Sequence, residues 1–178
     1  MIRRRHAVAL AAAAGLALVV PAPAVAEQTA TQRFFSERIQ ADKGTSEEIE
    51  DLLRTRQGFV DRTVTFRDLT GDDRADAIVR VQSGGAAGAV ALYVFSTDTG
   101  KRNSGLRVVF RSQELRRAQT RVRDGVLRYR SVRPQPGDEL CCPAKVAETR
   151  LRWRERLHRF SVAERREIAP SEPWGDQL

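Results

Sequence analysis

The fold of this protein is decided by the stretch Gln119-Thr-Arg-Val-Arg-Asp-Gly-Val-Leu-Arg-Tyr-Arg-Ser-Val132, in which polar and apolar residues largely alternate around Asp124-Gly125. A period of two is typical of a strand with one buried face. A tight two-residue turn between antiparallel strands needs positive φ, which Gly adopts freely and Asp tolerates. We therefore predict a β-hairpin with strands Gln119–Arg123 and Val126–Val132.

Similar runs continue on both sides of this hairpin. Turn residues separate the runs, among them the glycine-rich loop Ser83–Gly88, and the connections are too short for crossover helices. We therefore predict a curved antiparallel meander of about seven or eight strands. The other predicted strands are Val60–Phe66, Ala77–Gln82, Val90–Ser96, Leu106–Arg111, Glu148–Arg154 and Leu157–Ala163.

A helical pattern precedes the strands, so the predicted class is α+β, with an amino-terminal helix or helices before the meander. Thr45 and Glu48 have the spacing of a capping box, and Gly58 follows the last turn of a helix predicted over Ser46–Gln57. The apolar stripe of this helix consists of Ile49, Leu52 and Leu53. A shorter helical segment is expected around Phe34, Phe35 and Ile39.

Residues 1–26 have the features of a signal peptide. Three arginines at positions 3–5 precede an apolar stretch over 7–20, and Ala24-Val-Ala26 supplies the small side chains of a cleavage site. The apolar stretch is shorter than the roughly 20 residues that span a membrane, so we expect no retained anchor. We expect a secreted or envelope-associated protein that begins at Glu27, with the export route left open.

The remaining chain has the length of one domain. We predict a helical arm over 27–58, an antiparallel β domain over 59–168 that packs with the arm as one unit, and a flexible tail over 169–178. Losing the first 26 residues lowers the formal net charge from +8 to +5, since that segment carries three arginines and no acidic residue. An excess this small indicates partners only weakly.

The acidic segment 68–76 resembles a calcium loop. Calcium takes six to eight oxygen ligands, which such loops supply at alternate positions. The candidate ligands are Asp68, Thr70, Asp72, the carbonyl of Arg74, and Asp76. Thr70 and Asp73 depart from the ideal pattern, where an acidic or amide residue and Gly are usual. Two interpretations stay open: a calcium site, or a turn in which Asp68 binds backbone N–H groups without metal.

Cys141 and Cys142 are the only cysteines. Adjacent Cα atoms are closer than the usual disulfide range, so a bridge between neighbours distorts the peptide. In an oxidising compartment they could form that strained bridge, pair between molecules, or act in redox chemistry. We expect the structural bridge, and thiol alkylation with intact-mass analysis distinguishes the three.

Three segments together resemble a group of uncharacterised secreted proteins and lipoproteins of actinobacteria. They are Phe66-Arg-Asp-Leu-Thr-Gly-Asp-Asp-Arg-Ala-Asp-Ala-Ile-Val79, Cys141-Cys-Pro143 and Arg152-Trp-Arg-Glu-Arg-Leu-His-Arg-Phe160. That group carries a D-x-x-G-D-G-x-x-D loop, a CCP element and a closing Trp-to-Phe hairpin. This chain departs from it at Asp73, where Gly is usual, and at Glu155-Arg156, where Asp-Gly is frequent. The resemblance implies fold and export, and no activity.

Arginines alternate with apolar residues along three predicted strands. If the strands share one sheet, the apolar residues face the core and the arginines form a basic outer face. Arginine forks match phosphate oxygens, so such a face could bind an anionic envelope polymer or lipid. An ordinary solvated face is the alternative. The arginines are Arg121, Arg123, Arg128, Arg130, Arg150, Arg152 and Arg154.

No catalytic residue is indicated by the sequence. His158 is the only histidine after the first 26 residues, which makes a zinc site improbable, and no nucleophile-elbow sequence occurs. Nucleic acid is not expected, because the aromatic residues Tyr129 and Trp153 have the inward parity. The prediction is an exported noncatalytic protein with a possible polyanion-binding face and no cofactor. The alternative is a secreted hydrolase with unidentified carboxylates, with or without calcium.

Overall fold

The computed structural model describes residues 28–97, 105–138, 143–172 and 174. Within these ranges it contains two helices and nine strands, and both helices precede the strands in the chain. No helix of the described chain is long and apolar enough to cross a membrane. The elements are α1 Ala30–Gln40, α2 Glu47–Arg54, β1 Phe59–Val60, β2 Thr65–Arg67, β3 Asp76–Gln82, β4 Ala89–Ser96, β5 Arg107–Ser112, β6 Gln119–Arg123, β7 Val126–Val132, β8 Val146–Arg154 and β9 Arg159–Ile168.

The strands form two antiparallel sheets. In the first sheet the order is β1-β3-β4-β5, and β2 also pairs with β3; in the second sheet the order is β6-β7-β8-β9. The predicted antiparallel, mostly β architecture with some helix is confirmed. The strands are divided between two sheets, and β1 and β2 share one partner strand, so they do not follow a single continuous meander.

The strand predicted over Val60–Phe66 is two short strands in the structure. Asp61 interrupts it: the Asp61 Oδ2 atom accepts hydrogen bonds from Arg80 and Gln82, at 2.6 and 2.8 Å. The Asp61 Oδ1 atom accepts from the Thr63 backbone N–H at 3.0 Å. These bonds turn the chain away from its pairing with β3. Pairing resumes at β2, which lies opposite the first half of β3.

The two sheets and the helices form three layers. The core between the sheets includes Leu92 and Val94 of the first sheet and Leu127 and Leu151 of the second. The helices cover the other face of the first sheet. That second core contains Phe35, Ile39, Ile49 and Leu53 of the helices with Val79, Tyr93 and Phe95 of the strands. Because β3 and β4 are covered on both faces, their sequences are almost continuously apolar.

The termini of α2 differ from the prediction. The capping residue is Ser46, not Thr45, and its side chain makes no capping hydrogen bond. The Ser46 backbone N–H instead donates to Gln113 Oε1 at 2.8 Å, while Thr45 Oγ1 donates to the Ile39 carbonyl at 2.7 Å. The predicted capping box is therefore wrong, because tertiary contacts use the groups it needs. The box is found in α1, between Thr29 and Gln32.

Gly58 is required for a reason that the sequence did not indicate. The helix ends at Arg54, and Arg56, with φ of 59°, takes the left-handed conformation that ends it. A Cβ atom on Gly58 would lie 2.5 Å from the Gln82 carbonyl oxygen and from the Leu52 side chain. Gly58 thus allows close approach between the end of α2 and the first sheet.

The hairpin at Asp124-Gly125 is confirmed. Asp124 has φ of 49° and Gly125 has φ of 70°, and the flanking residues Arg123 and Val126 are paired. Both central residues therefore have the positive φ of the turn that matches strand twist. The bounds of β6 and β7 are those predicted from the alternation.

Candidate functional site

The second sheet presents the predicted arginines on its outer face. Its inward residues include Leu127, Tyr129, Leu151 and Phe160, which are buried in the core between the sheets. Residues that alternate with these point to the other side. Since β6, β7 and β8 are neighbours in this sheet, all seven arginines lie on one face, as the sequence predicted.

Three of these arginines form a row across adjacent strands. Arg121 pairs with Arg128, Arg128 with Arg150, and Arg150 with Glu164 of β9. We call Arg121, Arg128 and Arg150 the basic row. Directly opposed like charges disfavour strand pairing, and neighbouring strands are about 4.8 Å apart. The basic row therefore places three arginines opposite one another on neighbouring strands, with Glu164 at the β9 end.

The face continues to the β8–β9 end. Arg152 pairs with Ser161 and Arg154 pairs with Arg159, and the three arginines are exposed. Arg154 Nε donates to Ser161 Oγ at 2.9 Å, which orients the guanidinium across the face. Arg152 and Arg154 therefore add two exposed cations beside the basic row. Arg159 adds a third, which was not among the arginines predicted from the sequence.

The next row of the second sheet contains a buried ion pair. Arg130 and Glu148 are 6% and 5% exposed, and Arg130 Nε donates to Glu148 Oε2 at 2.7 Å. Arg166 donates to Glu148 Oε1 at 2.8 Å. Of the seven predicted arginines, Arg130 is thus engaged by a buried carboxylate inside the protein.

The pKa of Glu148 lies below its usual value. Burial by itself raises the pKa of this carboxyl, but hydrogen bonds from Arg166 and Arg130, with their positive charges, outweigh the burial. Glu148 therefore stays ionised at neutral pH and holds both guanidinium groups.

The segment after β9 lies across this row. The Glu172 carbonyl accepts a hydrogen bond from Arg130 at 2.7 Å, and the Glu172 carboxylate lies 3.3 Å from Arg166. The Trp174 ring stacks on the Arg130 guanidinium, 4.2 Å from ring centroid to Cζ. This segment was expected to be a flexible tail; its described residues contact the sheet.

Glu164 and Arg166 of β9 reach the outer face because of a β-bulge. The pairing of β8 with β9 shifts between Arg150 and Leu151, so Arg150 faces Glu164 while Leu151 faces Val162. Along β9, outward residues are therefore odd-numbered up to Ser161 and even-numbered from Glu164. An alternation pattern cannot locate such a shift, although the run Glu164–Glu167 of four charged residues indicates an exposed edge.

The acidic loop is held by Asp68. Its Oδ1 accepts from the backbone N–H groups of Thr70 and Gly71 at 3.1 and 2.7 Å, and its Oδ2 accepts from that of Asp73 at 3.0 Å. These bonds, the one from Gly71 above all, lower the pKa of Asp68. Asp73 takes the left-handed conformation, with φ of 61°, at the position where Gly is usual in calcium loops.

The other candidate ligands also bind within the protein. Asp72 Oδ1 accepts from Thr70 Oγ1 and from the Arg74 N–H, and Arg74 Nε lies 3.6 Å from Asp72 Oδ2. Asp76 is 1% exposed, and its Oδ2 accepts from the Leu69 N–H at 2.8 Å. Burial raises the pKa of Asp76. Across the described residues, no three side chains of Asp, Glu, His or Cys are grouped so that they could hold a metal ion.

The remaining candidate residues are the two cysteines and His158, with the carboxylates of the chain. Cys141 and Cys142 lie outside the described residues. His158 was predicted within a strand but ends the 3₁₀ turn between β8 and β9, in the left-handed conformation, beside the Trp153 ring. Among the described residues, Arg116, Arg117 and Asp138 line part of a cavity of about 220 Å³. Asp138 accepts backbone N–H groups from Gln135 and Ala144.

No protein-family model, no curated protein and no solved structure matches the chain. We therefore infer its function from the geometry of the second sheet.

Proposed function

We propose that this protein is an exported, noncatalytic protein that binds linear phosphate polymers of the cell envelope or its surroundings through the outer face of the second sheet. The observation that carries this proposal is the basic row, Arg121, Arg128 and Arg150, on a face whose opposite side is sealed in the core. Like charges that face each other on neighbouring strands disfavour pairing, and guanidinium groups in such a row can bind the oxygens of an anionic ligand.

The spacing of the face suits an extended polymer. Arginines two residues apart on one strand, such as Arg150 and Arg152, are about 6.8 Å apart, and those on neighbouring strands about 4.8 Å. Guanidinium groups bind phosphate oxygens through paired hydrogen bonds. A polymer that lies flat on the sheet can therefore meet several guanidinium groups in succession.

Two further features support this class of ligand. The properties of residues 1–26 favour export, where anionic polymers of the envelope are accessible. Two aromatic residues of the second sheet are turned away from the outer face, because Tyr129 is buried and Trp153 packs against the core between the sheets. Neither ring can stack on bases from the outer face.

The test uses residues 27–178 and immobilised poly(glycerol phosphate) of the wall teichoic acid type, over a salt series. The face variant combines Arg128→Gln, Arg150→Gln and Arg152→Gln. Arg130 is left unchanged because its pairing with Glu148 is buried. A control variant, Arg33→Gln with Arg38→Gln and Arg62→Gln, removes the same charge from exposed positions away from the second sheet.

We expect the wild type and the control variant to be retained and released by salt, and the face variant to lose at least tenfold in affinity. Equal losses in both variants would show that only net charge matters, and would overturn the proposal. Vesicles with phosphatidylglycerol form a parallel arm: retention on vesicles but not on polymer would assign the face to a membrane surface instead.

A further inference from the structure

The outer face of the second sheet is partly covered by the protein itself. Residues 169–172 and 174, which we call the terminal strap, follow β9 and turn back over the sheet. A hydrogen bond from the Glu172 N–H to the Ala169 carbonyl, at 3.0 Å, closes this turn. The strap then reaches from Arg166 on β9 to Arg130 on β7, across β8.

The contacts of the terminal strap are those that an anionic ligand would make. The Glu172 carboxylate faces Arg166, and the Glu172 carbonyl accepts from Arg130. Both arginines also bind the carboxylate of Glu148. The guanidinium groups of Arg130 and Arg166 thus lie beside two carboxylates, those of Glu148 and Glu172. Because the strap supplies Glu172, it brings the summed formal charge of these four residues to zero.

The ion pair between the strap and β9 is partly exposed to water. Arg166 is 42% exposed and Glu172 is 37% exposed, and ion pairs at such positions contribute little because water screens them. The stacking of Trp174 on Arg130 adds one cation–π contact. The buried pair of Arg130 and Glu148 does not depend on the strap, since Glu148 binds Arg130 directly.

We propose that the terminal strap is an autoinhibitory element, which occupies one end of the polymer-binding face and is displaced when an anionic polymer binds. Displacement extends the face from the basic row to Arg166 and to the outer side of Arg130. This inference rests on the proposed function, because the strap competes for the same polymer.

The test compares wild-type residues 27–178 with a variant that combines Glu172→Gln and Trp174→Ala. Both side chains are partly exposed, so the variant should fold, and its melting temperature checks this. The control is Glu37→Gln, which makes the same change in charge on the exposed side of α1. Dissociation constants for soluble poly(glycerol phosphate) are measured for all three proteins over a salt series.

We expect the strap variant to bind about fivefold more tightly than the control variant, as the loss of a weak competing ion pair implies. The affinity of the strap variant should also fall more steeply with salt concentration, by the equivalent of about one more counterion released on binding. Equal affinities of the strap and control variants, with both binding, would overturn the strap and leave the proposed function intact. Absence of binding by every protein would overturn both.

A second measurement follows the strap directly. In a Trp153→Phe variant, Trp174 is the only tryptophan of the protein, so its fluorescence reports on the strap. Polymer should shift the Trp174 emission to the red as the ring leaves Arg130 for water. Polymer binding without any change in Trp174 emission would show that the strap stays in place, against the proposal.

Discussion

At the scale of single residues, Asp68 shows how one side chain can organise a loop that resembles a metal site. Both of its oxygens accept backbone N–H groups, from Thr70, Gly71 and Asp73. A carboxylate that satisfies its own turn in this way has a structural role without a metal. We therefore propose that segment 68–76 acts as a turn that connects β2 to β3.

Replacing Asp68 tests this role. We expect Asp68→Ala to lower the free energy of unfolding by about 1–2 kcal/mol, because three N–H groups lose their acceptor. Asp68→Asn should lose less, since the amide oxygen still accepts from Thr70 and Gly71. Urea denaturation measures both. A millimolar calcium titration should leave the melting temperature of the wild type unchanged; a rise that Asp68→Ala abolishes would instead establish a calcium site.

The lowered pKa of Asp68 also sets the direction of a pH effect. A carboxyl whose pKa is lower in the folded state stabilises the fold above its unfolded pKa, about 3.9, and that contribution disappears as the pH falls through the folded value. The difference in stability between wild type and Asp68→Ala should therefore shrink below about pH 4. A difference that grows with acid would contradict this assignment.

At the scale of elements, β7, β8 and β9 are joined by the buried carboxylate of Glu148. It lies on β8 and binds Arg130 of β7 on one side and Arg166 of β9 on the other. A buried charge that keeps both partners is tolerated, whereas a charge that loses its partner is costly. This link separates the basic row from the carboxyl-terminal end of β9.

Glu148→Gln should therefore destabilise the second sheet by about 3 kcal/mol, because Arg130 stays buried without its counterion. Urea denaturation at neutral pH measures the loss. The double variant Arg130→Met with Glu148→Leu removes both charges and should recover much of the stability. If Glu148→Gln is as stable as the wild type, the pair of Arg130 and Glu148 makes no net contribution to the free energy of unfolding.

At the scale of the whole molecule, a polar contact joins the helical layer to the first sheet. The Tyr93 hydroxyl of β4 lies 2.9 Å from Gln113 Oε1 and 3.3 Å from Thr45 Oγ1, beside the start of α2. Gln113 also donates to the Gly44 carbonyl at 3.2 Å. Burial raises the pKa of Tyr93 to about 12, so this hydroxyl keeps its proton well into the alkaline range.

We expect the contact to fail in alkali. A tyrosine whose pKa is raised on folding stabilises the protein fully below its unfolded pKa, about 10, and this contribution is lost as the pH rises towards about 12. Tyr93→Phe should cost about 1 kcal/mol at neutral pH and weaken the fall in stability between those values. Alkaline unfolding curves that coincide for wild type and variant would refute this role.

Local sequence patterns were enough to predict the central hairpin of the second sheet and the face that it buries. Alternation located β6 and β7 to the residue, and Asp124-Gly125 determined the turn between them, because side-chain period and positive φ are local properties. The same parity placed the arginines on one face, since residues of like parity in paired strands share a side.

Only the tertiary structure decided how the elements combine. Asp61 splits the first strand through contacts with Arg80 and Gln82, about 20 residues later. Glu148 and Glu172 contact Arg130 because the fold brings distant residues together. A bulge also changes which residues of β9 face outward. Such contacts depend on register and on the path of the chain between elements. A linear pattern contains neither, so the division of the basic face into an exposed row and a covered row could not be read from it.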